Sequence, residues 1–124
     1  NSFNQLERFR PLWEKERGRV SVGLRVNPAH SEGHTAIYDP CAPKSRLGIP
    51  RREFDGRSLE GVEGLHFHTL CEQLFEPLAR TAKAFEEKFG AFLPGMKWLN
   101  LGGGHHITRE GYDIDGLVEL IKYF

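Results

Sequence analysis

Two well-separated runs restrict the folds open to this chain more than anything else in it. They are Gly64-Leu65-His66-Phe67-His68-Thr69-Leu70-Cys71-Glu72 and Leu101-Gly102-Gly103-Gly104-His105-His106. Each reads as a β-strand that spills into a polar loop and then opens a helix. Strands joined through an intervening helix must lie parallel, because a dozen or more residues are needed to carry the chain back to the same end of the sheet. Such crossovers are right-handed.

The remaining segments extend that alternation. Phe3, Leu6, Phe9 or Arg10, and Trp13 recur at helical spacing between Ser2 and Glu16, with Ser2 or Asn4 as N-cap and Gly18 as terminator. Arg19 to Val26 reads as a strand stopped by Asn27-Pro28. An irregular stretch from Pro28 to Gly61 is marked by Asn-Pro, Asp-Pro, Ala-Pro and Ile-Pro steps, with a short helix expected around Pro50–Phe54. Gly64 to Thr69 is the second strand. A helix from Gln73 or Pro77 to Phe89 puts Leu74, Leu78, Ala82, Phe85 and Phe89 on one face, with Gly90 closing it. Pro94-Gly95 turns the chain, Lys97 to Leu101 is the third strand, and Asp113 caps the last helix.

The class is therefore α/β. Three parallel strands with open edges do not close a domain, so the expectation is a partial (β/α)8 (TIM) barrel. Residues 1–124 are read as one segment of that barrel, a fragment of a larger chain. The sequence starts without Met and runs straight into a helix, and it stops inside the amphipathic run Leu117, Val118, Leu120, Ile121, Phe124. In such barrels the chemistry gathers at the carboxyl ends of the strands, where the polar residues of both runs fall.

Composition removes several classes. Seventeen basic residues balance seventeen acidic ones, which leaves no basic stripe for nucleic acid. No apolar run approaches the roughly 20 residues that span a bilayer, and the N-terminus lacks the regions of a secretion signal. Cys41 and Cys71 occupy separate loops, and nothing demands a disulfide. The expected setting is a reduced, cytoplasmic one.

The chemistry lies in the two runs. Gly102-Gly103-Gly104 directly follows a strand, where backbone N–H groups emerge together and missing side chains let them close on an anion; a tight turn is the plainer reading. His66 and His68 point to one side of their strand. His68 is placed nearer the rim, as a flat lid over a planar ring, and His66 one layer deeper. The competing readings are hydrogen-bonded core histidines, or two ligands of a zinc site completed by His105, His106 or Cys71. A histidine and a glycine-rich cradle on neighbouring strand ends suit a phosphorylated planar cofactor, pyridoxal 5'-phosphate (PLP) first. Arg25 and Arg46 could each meet an anionic group bidentately or a structural carboxylate. Cys71 is either a cofactor-loop residue or a small filler.

Four runs carry a resemblance: Gly23-Leu24-Arg25-Val26-Asn27-Pro28; Tyr38-Asp39-Pro40-Cys41-Ala42-Pro43-Lys44-Ser45-Arg46-Leu47-Gly48-Ile49; Gly64 through Gln73; and Leu99 through Thr108. Together they resemble carboxynorspermidine (carboxyspermidine) decarboxylases, in the alanine-racemase-like group of PLP-dependent barrels that also holds ornithine and diaminopimelate decarboxylases. The Tyr-Asp-Pro-Cys-Ala-Pro and His-Thr-Leu-Cys-Glu-Gln runs point to the polyamine branch. The resemblance implies that His68 stacks on the PLP ring, Gly102, Gly103 and Gly104 hold its phosphate with His105 adding a donor, and Thr69 and Cys71 line the cofactor. Arg46 and Glu72 are implied as substrate or loop residues. It further implies decarboxylation to norspermidine or spermidine, a small-molecule polyamine carboxylate substrate and a homodimer, with no metal, nucleic acid or membrane partner. The Schiff-base lysine and its strand would precede this segment, and the acidic partner of the pyridine nitrogen and the C-terminal β-domain would follow it. None of Lys15, Lys44, Lys83, Lys88, Lys97 and Lys122 takes the lysine's place, so no catalytic residue is expected here and the segment alone should be inactive. The alternatives are another amino-acid decarboxylase or racemase of the same fold, a zinc-dependent barrel hydrolase built on His66 and His68, or a non-catalytic binding module.

Overall fold

The structure is a computed structural model that describes residues 1–33 and 35–124. Helix α1 spans Phe3–Lys15, strand β1 Gly23–Asn27, β2 Ile49–Pro50, β3 Gly64–His66, helix α2 Phe75–Phe89, β4 Trp98–Asn100 and α3 Ile114–Tyr123. Short 3-10 turns cover Ala36–Tyr38, Arg51–Phe54 and Gly90–Gly95. The strands form one sheet in the order β2-β1-β3-β4, and every pairing is parallel.

The α/β class and parallel pairing agree with the sequence reading, and several boundaries do not. β1 starts at Gly23 rather than Arg19, because Arg19 and Val20 donate their N–H groups to the Glu16 carbonyl and are spent on the turn that ends α1. β3 and β4 are shorter than expected, since their carboxyl ends leave the sheet to form loops. A fourth strand, β2, went unread: it is only Ile49–Pro50, paired with Val26 and Asn27 at the sheet edge, where a proline's missing N–H is tolerated. The expected helix near Pro50–Phe54 is the 3-10 turn Arg51–Phe54. Ser2 and Asp113 cap as expected, accepting from the N–H groups of Gln5 and Gly116.

One face of the sheet is apolar. Leu24, Val26, Leu65 and Phe67 are buried in one core with Leu78, Ala82, Phe85 and Phe89 of α2, and the Phe67 and Phe85 rings lie 5.1 Å apart. Phe54 joins this core to α1, with ring centroids 5.1 Å from Phe3 and 5.2 Å from Phe89. The other face carries the alternate residues: Gly23, Arg25 and Asn27 of β1, Gly64 and His66 of β3, Trp98 and Asn100 of β4. The register sets Gly23 beside Gly64 beside Trp98, and one step toward the carboxyl end Arg25 beside His66 beside Asn100. Trp98 lies across both glycines, where a Cβ on either would overlap its ring. Its Nε1–H donates to Ser21 Oγ at 2.7 Å.

The long connection after β1 is tied down at several points. Arg80 of α2 grips Glu32 with two hydrogen bonds of 2.7 and 2.8 Å, and His30 Nε2 lies 2.7 Å from the same carboxylate. Lys88 donates to the Pro28 carbonyl, and Asn27 Nδ2 donates to the carbonyls of Pro40 and Leu47, both at 3.2 Å. These anchors hold the loop beside the carboxyl ends of β1 and β3.

Two outcomes follow for stability. Gly64→Val forces the indole out of its seat and should cost about 1–3 kcal/mol, as overpacking does, while Gly95→Ala, with open space at its Cβ position, should cost little; chemical unfolding compares them. The Arg80 hydrogen bonds, with His30 adding to them, hold the Glu32 carboxyl at about 2. A carboxyl that ionises more readily when folded stabilises the fold above the ordinary carboxylate range and loses that contribution as pH falls toward 2. Glu32→Gln should therefore flatten the acid limb of the stability-against-pH curve. An unchanged acid limb would show that the anchor contributes nothing.

Candidate cofactor site

The polar face opens at the carboxyl ends of β1, β3 and β4. As β3 leaves the sheet, Phe67 turns into the core and His68 returns to the side of His66, with ring centroids 6.3 Å apart. The expected shared side is observed, with His68 toward the carboxyl end. Each ring is held at Nδ1. His66 Nδ1 lies 3.0 Å from Asn100 Oδ1, which also accepts the Gly102 N–H at 2.8 Å. His68 Nδ1 lies 3.3 Å from the backbone nitrogen of Gly103, whose N–H it accepts. An imidazole that accepts at Nδ1 carries its proton on Nε2 and is neutral. Burial, then the nearby charges of Arg25 and His66, push the His68 pKa below the usual histidine value and favour the same form.

The triple glycine packs against the loop that follows β3. Gly102 and Gly104 have φ of +76° and +85°, and a Cβ on them would overlap the carbonyl oxygens of Phe67 and Leu70 respectively. Gly103 differs. Its φ is ordinary, and a Cβ there would lie 3.8 Å from His68 Cε1. Steric need for glycine therefore falls on the outer two positions rather than on Gly103.

Gln73, which the sequence reading passed over, joins three loops. Its backbone N–H donates to the Gly104 carbonyl at 3.1 Å and its carbonyl accepts from His106 at 2.9 Å. Its side chain accepts from the Cys71 N–H at 3.3 Å and donates to the Glu32 carbonyl. With the Gly102 and Gly103 N–H groups satisfied internally, those of Gly104 and His105 are left without an acceptor among the described residues.

The other expected residues fall as follows. The Thr69 hydroxyl is buried with no partner among the described residues, as is Arg25 Nε. Arg25 meets no carboxylate among the described residues; its guanidinium donates to the His68 carbonyl at 3.0 Å. Cys71 is exposed in the same loop. Glu72 adopts φ +57°, uncommon outside glycine, and its carbonyl accepts from Arg109 at 3.3 Å. The His105 ring is committed to Tyr112, with Nδ1 2.6 Å from the buried phenol. Arg46 is exposed and borders a cavity of about 290 Å³ with Asn1, Ser45 and Ile49, away from these residues. The histidines of the zinc reading are placed as follows. Among the described residues no three His, Cys, Asp or Glu side chains gather to hold a metal, and His66 turns its Nδ1 to Asn100 instead.

This donor set fits a phosphorylated planar ring. Orphaned buried donors at Thr69 and Arg25, two free loop N–H groups and a neutral imidazole converge on strand ends, and two glycines permit the close loop packing that builds the cradle. The sheet that carries these residues is parallel throughout, which defines an α/β protein.

Comparison with known proteins narrows the class. The chain is 45% identical over 122 residues, 98% of its length, to a carboxynorspermidine/carboxyspermidine decarboxylase of Campylobacter jejuni. It is 40% identical over its whole length to a carboxyaminopropylagmatine decarboxylase of Synechocystis. It covers 32% of each of these proteins, and so spans about a third of the relatives it matches. The crystal structure of carboxynorspermidine decarboxylase from Campylobacter jejuni, complexed with norspermidine, matches all of the chain over 30% of its own length, with 42% identity and a TM-score of 0.81. A diaminopimelate decarboxylase structure, 20% identical with a TM-score of 0.63 over 83% of this chain and 27% of its own, shares the fold. No family model matches the chain. Carboxynorspermidine/carboxyspermidine decarboxylases are thus homologues of this chain over nearly its whole length, as the sequence resemblance implied.

The glycine geometry sets an ordered expectation. Gly102→Ala and Gly104→Ala each combine left-handed backbone strain with a carbonyl overlap, and should cost about 1–3 kcal/mol or more. Gly103→Ala should be tolerated in the fold. Thermal unfolding of the three variants checks the ranking, and equal losses at all three positions would refute it.

Proposed function

We propose that this chain is the cofactor-holding segment of a PLP-dependent decarboxylase acting on carboxynorspermidine or carboxyspermidine. On this reading it is one part of a (β/α)8 barrel of the alanine-racemase-like type, and the lysine that binds the cofactor lies on another part of the polypeptide. The observation that carries it is the hydrogen bond from the Gly103 N–H to His68 Nδ1, which joins the His68 imidazole to a glycine-rich loop. The chain that holds this pair is 45% identical to a decarboxylase of that name.

Each residue then has a task. His68 would stack on the cofactor ring. Its neutrality suits it to stacking, because it adds no positive charge beside a ring that must itself stay protonated at nitrogen. The free N–H groups of Gly104 and His105, with the hydroxyl of Thr69 and the loop carrying Cys71, bind the phosphate. Gly102 and Gly103 keep their own N–H groups internal and shape the loop. Arg25, fixed by the His68 carbonyl, would supply an unspent Nε–H to the cofactor. Bound PLP supplies an electron sink for the pair left when CO2 departs. The segment's contribution is binding, orientation and a fixed set of dipoles. Arg46 is assigned to the loop rather than to the substrate. The reading also places the enzyme in the cytoplasm as a homodimer; consistent with the first, no helix of the described residues is long and apolar enough to cross a membrane.

The test uses the full-length protein, extended to the length of its relatives. It should purify with the visible absorption of bound PLP and release CO2 from carboxynorspermidine. His68→Ala should leave the fold intact while lowering cofactor retention and activity at least tenfold. His66→Ala should act mainly on stability. A protein that carries stoichiometric zinc and no PLP would overturn the assignment.

A further inference from the structure

The His105 imidazole and the Tyr112 phenol form a pair with no task in the roles above. Their rings lie 5.7 Å apart, and His105 Nδ1 is 2.6 Å from the phenol oxygen. The segment between them is held by two consecutive turns. The Arg109 N–H donates to the His106 carbonyl at 2.9 Å, and the Tyr112 N–H donates to the Arg109 carbonyl at 3.1 Å. Tyr112 is buried, its ring edge-on to Phe75 of α2 at 6.3 Å, and Asp113 beside it caps α3. At the other end the His106 N–H donates to the Gln73 carbonyl, and the Gln73 N–H donates to the Gly104 carbonyl. The pair thus ties the last glycine of the loop to the first turns of both following helices.

The tautomer of His105 follows from burial. A buried hydroxyl whose hydrogen finds no acceptor costs about 1–3 kcal/mol, and His105 Nδ1 is the acceptor that the Tyr112 phenol meets among the described residues. The phenol therefore donates, Nδ1 accepts, and the imidazole carries its proton on Nε2. Both groups are neutral in this arrangement. Burial, then the nearby charge of His106, pushes the His105 pKa down; burial, then Asp113 and Glu76, pushes the Tyr112 phenol up. His105 Nε2 makes no hydrogen bond among the described residues, and the ring borders a cavity of about 540 Å³ beside β4, together with Asn100, Leu101 and Gly102. One residue thus brings two unspent donors to the glycine loop, its backbone N–H and its ring Nε2–H, next to the free N–H of Gly104.

We infer that Tyr112 is a positioning residue for the phosphate: by donating to Nδ1 it keeps the Nε2–H of His105 available to the anion that the Gly104 and His105 N–H groups hold. The inference rests on the decarboxylase reading for the molecule that carries the phosphate, but the donor set stands on the loop geometry. A phenylalanine would fill the same space against Phe75 and leave the imidazole free to turn and to take either tautomer. One of those tautomers offers a lone pair where the anion needs a donor. A phosphate dianion accepts at its oxygens and donates nothing, so that tautomer repels it.

The experiment takes the full-length protein freed of cofactor and measures its affinity for PLP and for pyridoxal, which lacks the phosphate. Nitrogen NMR of labelled histidines and thermal unfolding are recorded alongside. Tyr112→Phe should weaken PLP about fivefold, leave pyridoxal unchanged, and turn the single Nε2–H signature of His105 into a mixture. His105→Asn keeps an acceptor for the phenol at the Nδ1 position but has no Nε2–H. It should hold the wild-type unfolding temperature and weaken PLP about tenfold, again sparing pyridoxal, which separates recognition from structural support. Retention of PLP affinity within about twofold in Tyr112→Phe, or an equal loss for PLP and pyridoxal, overturns the positioning role. If the wild type still releases CO2, the decarboxylase reading survives that failure. If the wild type takes up no PLP, inorganic phosphate becomes the probe. Phosphate binding that Tyr112→Phe weakens sustains the pair as an anion site and removes the decarboxylase reading; binding that it leaves unchanged, or no binding at all, removes both.

Discussion

Everything at the carboxyl end of this sheet depends on how closely two loops can approach. The carbonyls of Phe67 and Leu70 lie where the β-carbons of Gly102 and Gly104 would be, so the glycine loop can seat itself directly on the chain leaving β3. That contact brings the Gly103 N–H to His68 and the Gly104 carbonyl to Gln73. The imidazole is then fixed in one tautomer by a backbone group and not by another side chain. Any widening of the loop contact would release the ring, the cradle and the Cys71-Glu72 step together, because all three hang on the same few hydrogen bonds.

The same economy appears one layer down. Asn100 serves His66 and the Gly102 N–H with a single oxygen. It can do so because β3 and β4 are parallel and in register, with His66 directly beside Asn100. The register comes from the buried face: Leu65 and Phe67 must meet α2, and a slip of one residue would turn them outward and carry the histidines into the core. Packing on one side of the sheet thereby aligns chemistry on the other.

This division explains what could be read in advance. Leu24 and Val26, Leu65 and Phe67, and the spacing of Leu78, Ala82, Phe85 and Phe89 announce their partners through period alone, so the helices, three of the strands and their parallel sense were legible. The pairing of His68 with a glycine loop was legible because both sit at strand ends. β2 was not, since two residues ending in proline carry no period. Gln73, Asn100 and Tyr112 were missed because their partners stand far away in sequence or are backbone groups, which no local pattern records. The three glycines look alike as letters; only the carbonyls pressing on Gly102 and Gly104 separate them from Gly103.

Trp98 gives the polar face a closed end. Its indole spans the level of Gly23 and Gly64, one step behind the row of Arg25, His66 and Asn100. The indole therefore gives the amino-end side of that row an aromatic wall. The level at which the polar face ends on that side is set by one side chain that two glycines make room for.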